Sequence, residues 1–138
     1  MRELVRFGVS IDKGLSDKFD ALIKKKGYSN RSEAIRDLIR EYLVKKEWEG
    51  EDEVVGAITL IYDHHRREIL DKLTDIQHSF IHLIVSSQHV HLDHHNCLEI
   101  VAVKGLPKSV CDLADKLKAV KGVKHSTLSM STTGKQIV

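Results

Sequence analysis

The chain has 138 residues, 41% hydrophobic and 30% charged, with eight Gly and one Pro, the balance of a folded protein and not of a disordered one. It is long enough for one ordinary domain or two very small ones, and domains this small usually associate to bury enough apolar surface. No run approaches the roughly 20 apolar residues of a membrane span, and residues 1–11 lack the apolar stretch of a secretory signal. The expectation is a cytoplasmic protein with no membrane partner, whose Cys97 and Cys111 stay free thiols.

The net charge of +2 hides an asymmetry. Residues 1–50 hold 12 Lys and Arg against 9 Asp and Glu, and residues 51–138 hold 10 against 11. So small a basic excess suits either a module facing nucleic acid or a solvated charged face.

Val5, Phe7, Val9 and Ile11 alternate with Arg6, Gly8, Ser10 and Asp12, which predicts a strand with one core face and one open face. Leu15, Phe19, Leu22 and Ile23 then fall at helical spacing, with Gly27 placed to stop the helix. Asn30-Arg31-Ser32-Glu33 has the form of a capping box and opens a second helix through Ala34, Ile35, Leu38, Ile39, Tyr42 and Leu43. A lone strand leaves its backbone groups unpaired, so a partner must supply its neighbour.

Strand, helix and capped helix in the first 45 residues resemble the ribbon-helix-helix family, in which two chains pair strands into an antiparallel ribbon that enters the major groove of double-stranded DNA. The resemblance implies that Arg6, Gly8 and Ser10 face base edges. Arg6 is the strongest reader because its fork bonds guanine at two points. Gly8 departs from the hydroxyl or amide side chain common there and offers only close approach. Backbone amides at Asn30, Arg31 and Ser32 open the second helix, where its dipole favours a phosphate. A dimerisation ribbon without a DNA role is the alternative.

The acidic run Glu47, Glu49, Glu51, Asp52 and Glu53, with Trp48 and Gly50, reads as a linker, placing a boundary near residue 50 between domains 1–50 and 51–138. Beyond it the pattern predicts a strand over 54–62, a helix over 65–76, strands over 80–92 and 97–103, a helix from Pro107 to Val120 and a strand over 123–130. That βαββαβ order is a ferredoxin-like (ACT-like) unit, and the fold class is α+β.

Six of nine histidines lie between residues 78 and 95, a density that suggests metal. His89 and His91, two apart on a strand, share a face, which leaves Val90 and Leu92 for the core. A turn over 93–96 brings Cys97 back beside them, completing two nitrogens and one sulfur. The run H-V-H-L-D-H-H-N-C-L-E-I, with N-R-S-E-A-I-R-D, is similar to the NikR family of nickel-responsive repressors over essentially the whole chain. The resemblance implies planar nickel(II), about one per chain, held by His89, His91 and Cys97 with His78 of the partner subunit. It also implies a homotetramer built as a dimer of dimers, and repression of nickel-uptake genes.

Planar nitrogen and thiolate ligation suits nickel or copper better than zinc. Glu99, on the strand face of Cys97, suits either hydrogen bonding to a ligand or plain solvation. The family's second cation site matches Glu33 and Asp37, one helical turn apart; capping by Glu33 and an ion pair from Asp37 is the alternative. His64, His65, His82, His94, His95 and His125 have no assignment beyond solvation or weak extra metal, and Cys111 reads as a buried inert thiol. Two other functions remain: a nickel storage or delivery protein without sequence-specific DNA binding, and a metal hydrolase with Glu99 as base. No H-E-x-x-H or other catalytic signature supports the second, and the expectation is not an enzyme.

Overall fold

The computed structural model describes residues 2–138. In chain order the elements are α1 (Lys13–Lys25), α2 (Arg31–Trp48), β1 (Val54–Tyr62), α3 (Arg67–Ser79), a 3-10 turn (Ile81–Leu83), β2 (Ile84–His91), β3 (Cys97–Gly105), α4 (Pro107–Lys118) and β4 (His125–Met130). The chain falls into two compact units, residues 1–39 and 40–138.

In the first unit Asp12 caps α1 by accepting the Gly14 amide at 2.8 Å. Gly27 ends that helix in the left-handed region at φ 84°, the conformation only glycine adopts without strain, while the Tyr28 amide closes back on the Ile23 carbonyl. Asn30 caps α2 as its motif predicts, its side chain accepting the Glu33 amide at 2.9 Å. The Glu33 carboxylate accepts the Ser29 hydroxyl at 3.0 Å. The strand predicted over 5–11 has no ladder in the single chain. A strand cannot form without a neighbour to pair its backbone, and Val5, Phe7 and Val9 are left 78%, 70% and 64% exposed.

The second unit is a four-stranded antiparallel sheet in the order β2-β3-β1-β4, the arrangement expected of a ferredoxin-like βαββαβ chain. Alternation along β1 and β3 buries Val54, Ile58, Leu60 and Tyr62 with Cys97, Val101 and Val103. Their core partners are Ile69 and Leu73 from α3 and Val110, Leu113 and Leu117 from α4. Cys111 is half-buried at the margin of this core and not inside it.

Two expectations need correction. The segment read as a linker begins inside α2: Trp48 is buried in the core, and its indole N–H donates to the Ser131 carbonyl at 2.8 Å. Gly56 makes room for it, since a Cβ there would lie 3.2 Å from the indole and 2.7 Å from the Ser129 carbonyl. The acidic residues around Trp48 mask an apolar anchor. The strand predicted from Phe80 also starts later, because Phe80 caps α3 and residues 81–83 form a 3-10 turn.

A bulge then sets the phase of β2. Ile84 pairs with Val103, but Ser86 pairs with Ala102, so one extra residue enters β2. An extra residue reverses which side chains face inward. His89 and His91 consequently stand opposite Glu99 and Cys97 on the helix-covered face. Val90 lies on the other face and Leu92 is 53% exposed, so the expectation that these two point to the core is wrong.

Candidate metal centre and nucleic-acid interface

Three strands bring the centre together. Across the sheet, His91 of β2 pairs with Cys97 of β3, which pairs with Tyr62 of β1; one step inward, His89 pairs with Glu99. Because cross-strand partners share a face, both imidazoles, the thiol, the phenol and the carboxylate lie on one side. Cys97 Sγ is 4.0 Å from His89 Nδ1. Burial pushes the Cys97 thiol up and the nearby Glu99 carboxylate adds to this, while a hydrogen bond with Tyr62 works against both. A cation at this point would favour the thiolate.

Glu99 is 3% exposed, and a buried carboxylate must be hydrogen-bonded to be tolerated. The Tyr62 hydroxyl donates to it at 2.7 Å and the Gln77 amide at 2.8 Å, and His89 Nε2 lies 3.9 Å away. The same Tyr62 oxygen is 3.5 Å from His89 Nδ1. Burial, then the Glu99 carboxylate, push the Tyr62 hydroxyl well above the ordinary phenol range. Glu99 is therefore no solvated glutamate: it ties α3, β1 and β3 together beside the histidines.

His78 sits in the last turn of α3 and lines an open cleft of about 250 Å³ with Tyr62, Gln77, His89 and Glu99. Among the described residues, no three His, Cys, Asp or Glu side chains of one chain present donor atoms to a single metal position. Tyr62 and Gln77 escape sequence reasoning because neither is a metal-ligand type. The inward phase of β1 and the place of Gln77 beside His78 were the available signals.

In the first unit, Arg6, Gly8 and Ser10 are exposed, and a side chain at Gly8 would meet open space. Arg31 grips Asp20 at two points, 2.7 and 2.6 Å. That engagement joins α2 to α1. Asn30 is occupied by its cap. Glu33 and Asp37 each accept a hydroxyl, from Ser29 at 3.0 Å and Tyr28 at 2.7 Å. Among the described residues, no helix is long and apolar enough to cross a membrane.

Residues 55–131 match the family described as NikR C terminal nickel binding domain, and residues 5–46 match ribbon-helix-helix protein, copG family. A protein of Syntrophus aciditrophicus, provisionally named a nickel-responsive regulator, is 60% identical over 97% of this chain and 98% of its own. Similarly named proteins of Geobacter metallireducens and Pyrococcus furiosus are 57% and 54% identical, each over 98% or more of both chains. An uncharacterized protein of Thermotoga maritima shares the fold at 14% identity, with a TM-score of 0.50 over 56% of this chain and 98% of its own. With both segments matched and relatives this similar end to end, the chain belongs to the NikR family of regulators, a ribbon-helix-helix module joined to a C-terminal ACT-like domain.

Proposed function

We propose that the chain is a nickel-responsive transcriptional regulator in which His89, His91 and Cys97, with His78 of the partner subunit, hold about one nickel(II) per chain. The observation that carries this reading is the register that sets His91 opposite Cys97 and His89 Nδ1 4.0 Å from its sulfur. Imidazole and thiolate together form a donor set for a late transition metal, so these residues fit the ion. Bound nickel supplies a positive centre that holds thiolate and imidazole groups of two copies together. The chain's own part is to orient the ligands: Glu99, fixed by Tyr62 and Gln77, faces His89 and limits its swing.

Residues 1–50 form the DNA-binding domain and 51–138 the nickel-binding and tetramerisation domain. Two chains pair residues 5–11 into a ribbon, which covers Val5, Phe7 and Val9 and turns Arg6, Gly8 and Ser10 toward operator DNA. The assembly is a homotetramer of two such dimers. Because a ligand crosses between copies, nickel occupancy favours one quaternary arrangement, and DNA affinity follows that arrangement by linkage. Repression of nickel uptake is the corresponding circuit, acting in the cytoplasm and without catalysis. The occupied side chains of Glu33 and Asp37 give a second cation position less support.

Titrating the apo protein with nickel(II) beside Cys97→Ala tests the centre. The expected result is a thiolate-to-nickel absorption band saturating near one ion per chain and missing in the variant. A variant indistinguishable from the parent would refute the ligand assignment. Arg6→Ala should flatten operator preference with nickel uptake intact; no change in DNA binding would favour a storage or delivery protein instead.

A further inference from the structure

Gly8 is a glycine that the single chain does not require. It is not among the glycines with positive φ, which are Gly27, Gly122 and Gly134, and a Cβ built on it meets nothing within 4 Å. Gly56, by contrast, is held small by the Ser129 carbonyl, 2.7 Å from where its Cβ would lie. A glycine inside a strand weakens the strand, and it often marks a place where something outside comes close to the backbone.

Alternation names the side of that approach. In a strand over residues 5–11, Val5, Phe7, Val9 and Ile11 make the apolar face, and Gly8 stands on the other face between Arg6 and Ser10, all three exposed. Gly8 is the middle residue of the stretch. An antiparallel ribbon paired about it sets Gly8 beside Gly8 of the partner subunit and Arg6 across from the partner's Ser10. The outward face then carries arginine and serine toward both ends and a bare notch in the middle. Ribbon amides and carbonyls point within the plane of the ribbon, so the notch turns no donor or acceptor outward.

We infer that Gly8 determines operator choice by shape: the notch seats the ribbon deeper in the major groove and takes thymine C5-methyl groups at the centre of the site. Arg6 supplies the hydrogen-bonded reading on either side. The inference rests on the DNA-binding reading of residues 1–50. Thymine alone among the bases projects an apolar group into the major groove, and a surface without donors or acceptors suits a methyl. A side chain at position 8 fills the notch twice, once per copy, at the point nearest the bases, and lifts both Arg6 side chains from their guanines together. Its cost falls on DNA binding and not on folding, because the chain leaves open space there.

The test is selection from a pool of randomised duplexes by the full chain with nickel(II) present, followed by gel-shift titration on the duplex the parent selects. The parent should enrich guanines flanking central thymines. Gly8→Ala should bind that duplex about 10-fold more weakly, the effect of one mismatched base pair, while melting no lower than the parent. Gly8→Ser, which adds a polar reader, should enrich a sequence that differs at the centre. Replacing the central thymines by uracils deletes only the methyl groups and should weaken binding by the parent protein itself. Uracil duplexes bound at full strength, Gly8→Ala at parental affinity, or a Gly8→Ser that enriches the parent's own sequence would each overturn the inference and leave the DNA reading in place. A parent that enriches no sequence overturns that reading, and the inference with it.

Discussion

Replacing Glu99 with Ala removes the acceptor for two donors, the buried Tyr62 hydroxyl at 2.7 Å and the half-buried Gln77 amide at 2.8 Å. A hydrogen bond to a charged group is worth about 1.5–3 kcal/mol, and stranding its donor costs a similar amount. Against that stands relief from burying a carboxylate that is only 3% exposed. The net loss should be about 2–4 kcal/mol. Glu99→Gln keeps the shape and one acceptor oxygen, and Tyr62 can turn to receive its amide, so this change should cost about 1 kcal/mol. Urea unfolding of the apo protein reads both values, at one fixed protomer concentration because assembly adds to apparent stability. The Gln variant should also bind nickel about 10–100-fold more weakly, the usual effect of disturbing a group that orients a ligand. An Ala variant within 0.5 kcal/mol of the parent, or a Gln variant as costly as Ala, would refute the view that the carboxylate holds α3 to the sheet.

Mixing His78→Ala protein with Cys97→Ala protein should restore part of the thiolate–nickel band, since a heteromer can assemble a full ligand set across copies; no recovery would mean that His78 acts within its own chain. Gly56→Ala should destabilise the chain by about 1–3 kcal/mol, measured by thermal unfolding, because the new methyl meets the Ser129 carbonyl at 2.7 Å. Asn30→Ala, read by the same assay, should cost about 1 kcal/mol through the lost cap. The Asp20 carboxyl is held below its ordinary range by its bond to Arg31, so this pair supports the fold above the ordinary carboxylate pKa. The support fades as pH falls through the lowered value. A carboxyl titration followed by NMR should show Asp20 returning to its ordinary range in Arg31→Gln.

These helix limits were legible because their signals are local. Asn30 three residues before Glu33 and Gly27 after an apolar stripe satisfy backbone groups within their own segment, and Pro107 at a first turn has no N–H to leave unpaired. The order of strands was legible for the same reason, since alternation is local too. Trp48 was not, because what makes it core is Ser131, 83 residues away, and its flanking acids read as solvent. The hydroxyl and amide that hold Glu99 were equally hidden: Tyr62 and Gln77 acquire their role only when β1, α3 and β3 meet. Composition drew attention to the histidine-rich stretch, the two-residue spacing and the turn over 93–96 singled out His89 and His91, and the register sets both opposite Glu99 and Cys97.

The extra residue between Ile84 and Ser86 makes β2 intolerant of small changes in length. Removing one residue from the bulge, or adding one before His89, would leave every histidine in the sequence and send both imidazoles to the side opposite Cys97. A two-residue change would restore the side but move the imidazoles along the sheet, away from the sulfur. Variation in this stretch should therefore appear as substitution and seldom as insertion or deletion. Extra residues are better accommodated in the turn over 93–96, where they lengthen a solvent-facing connection without altering the count from the bulge to His91.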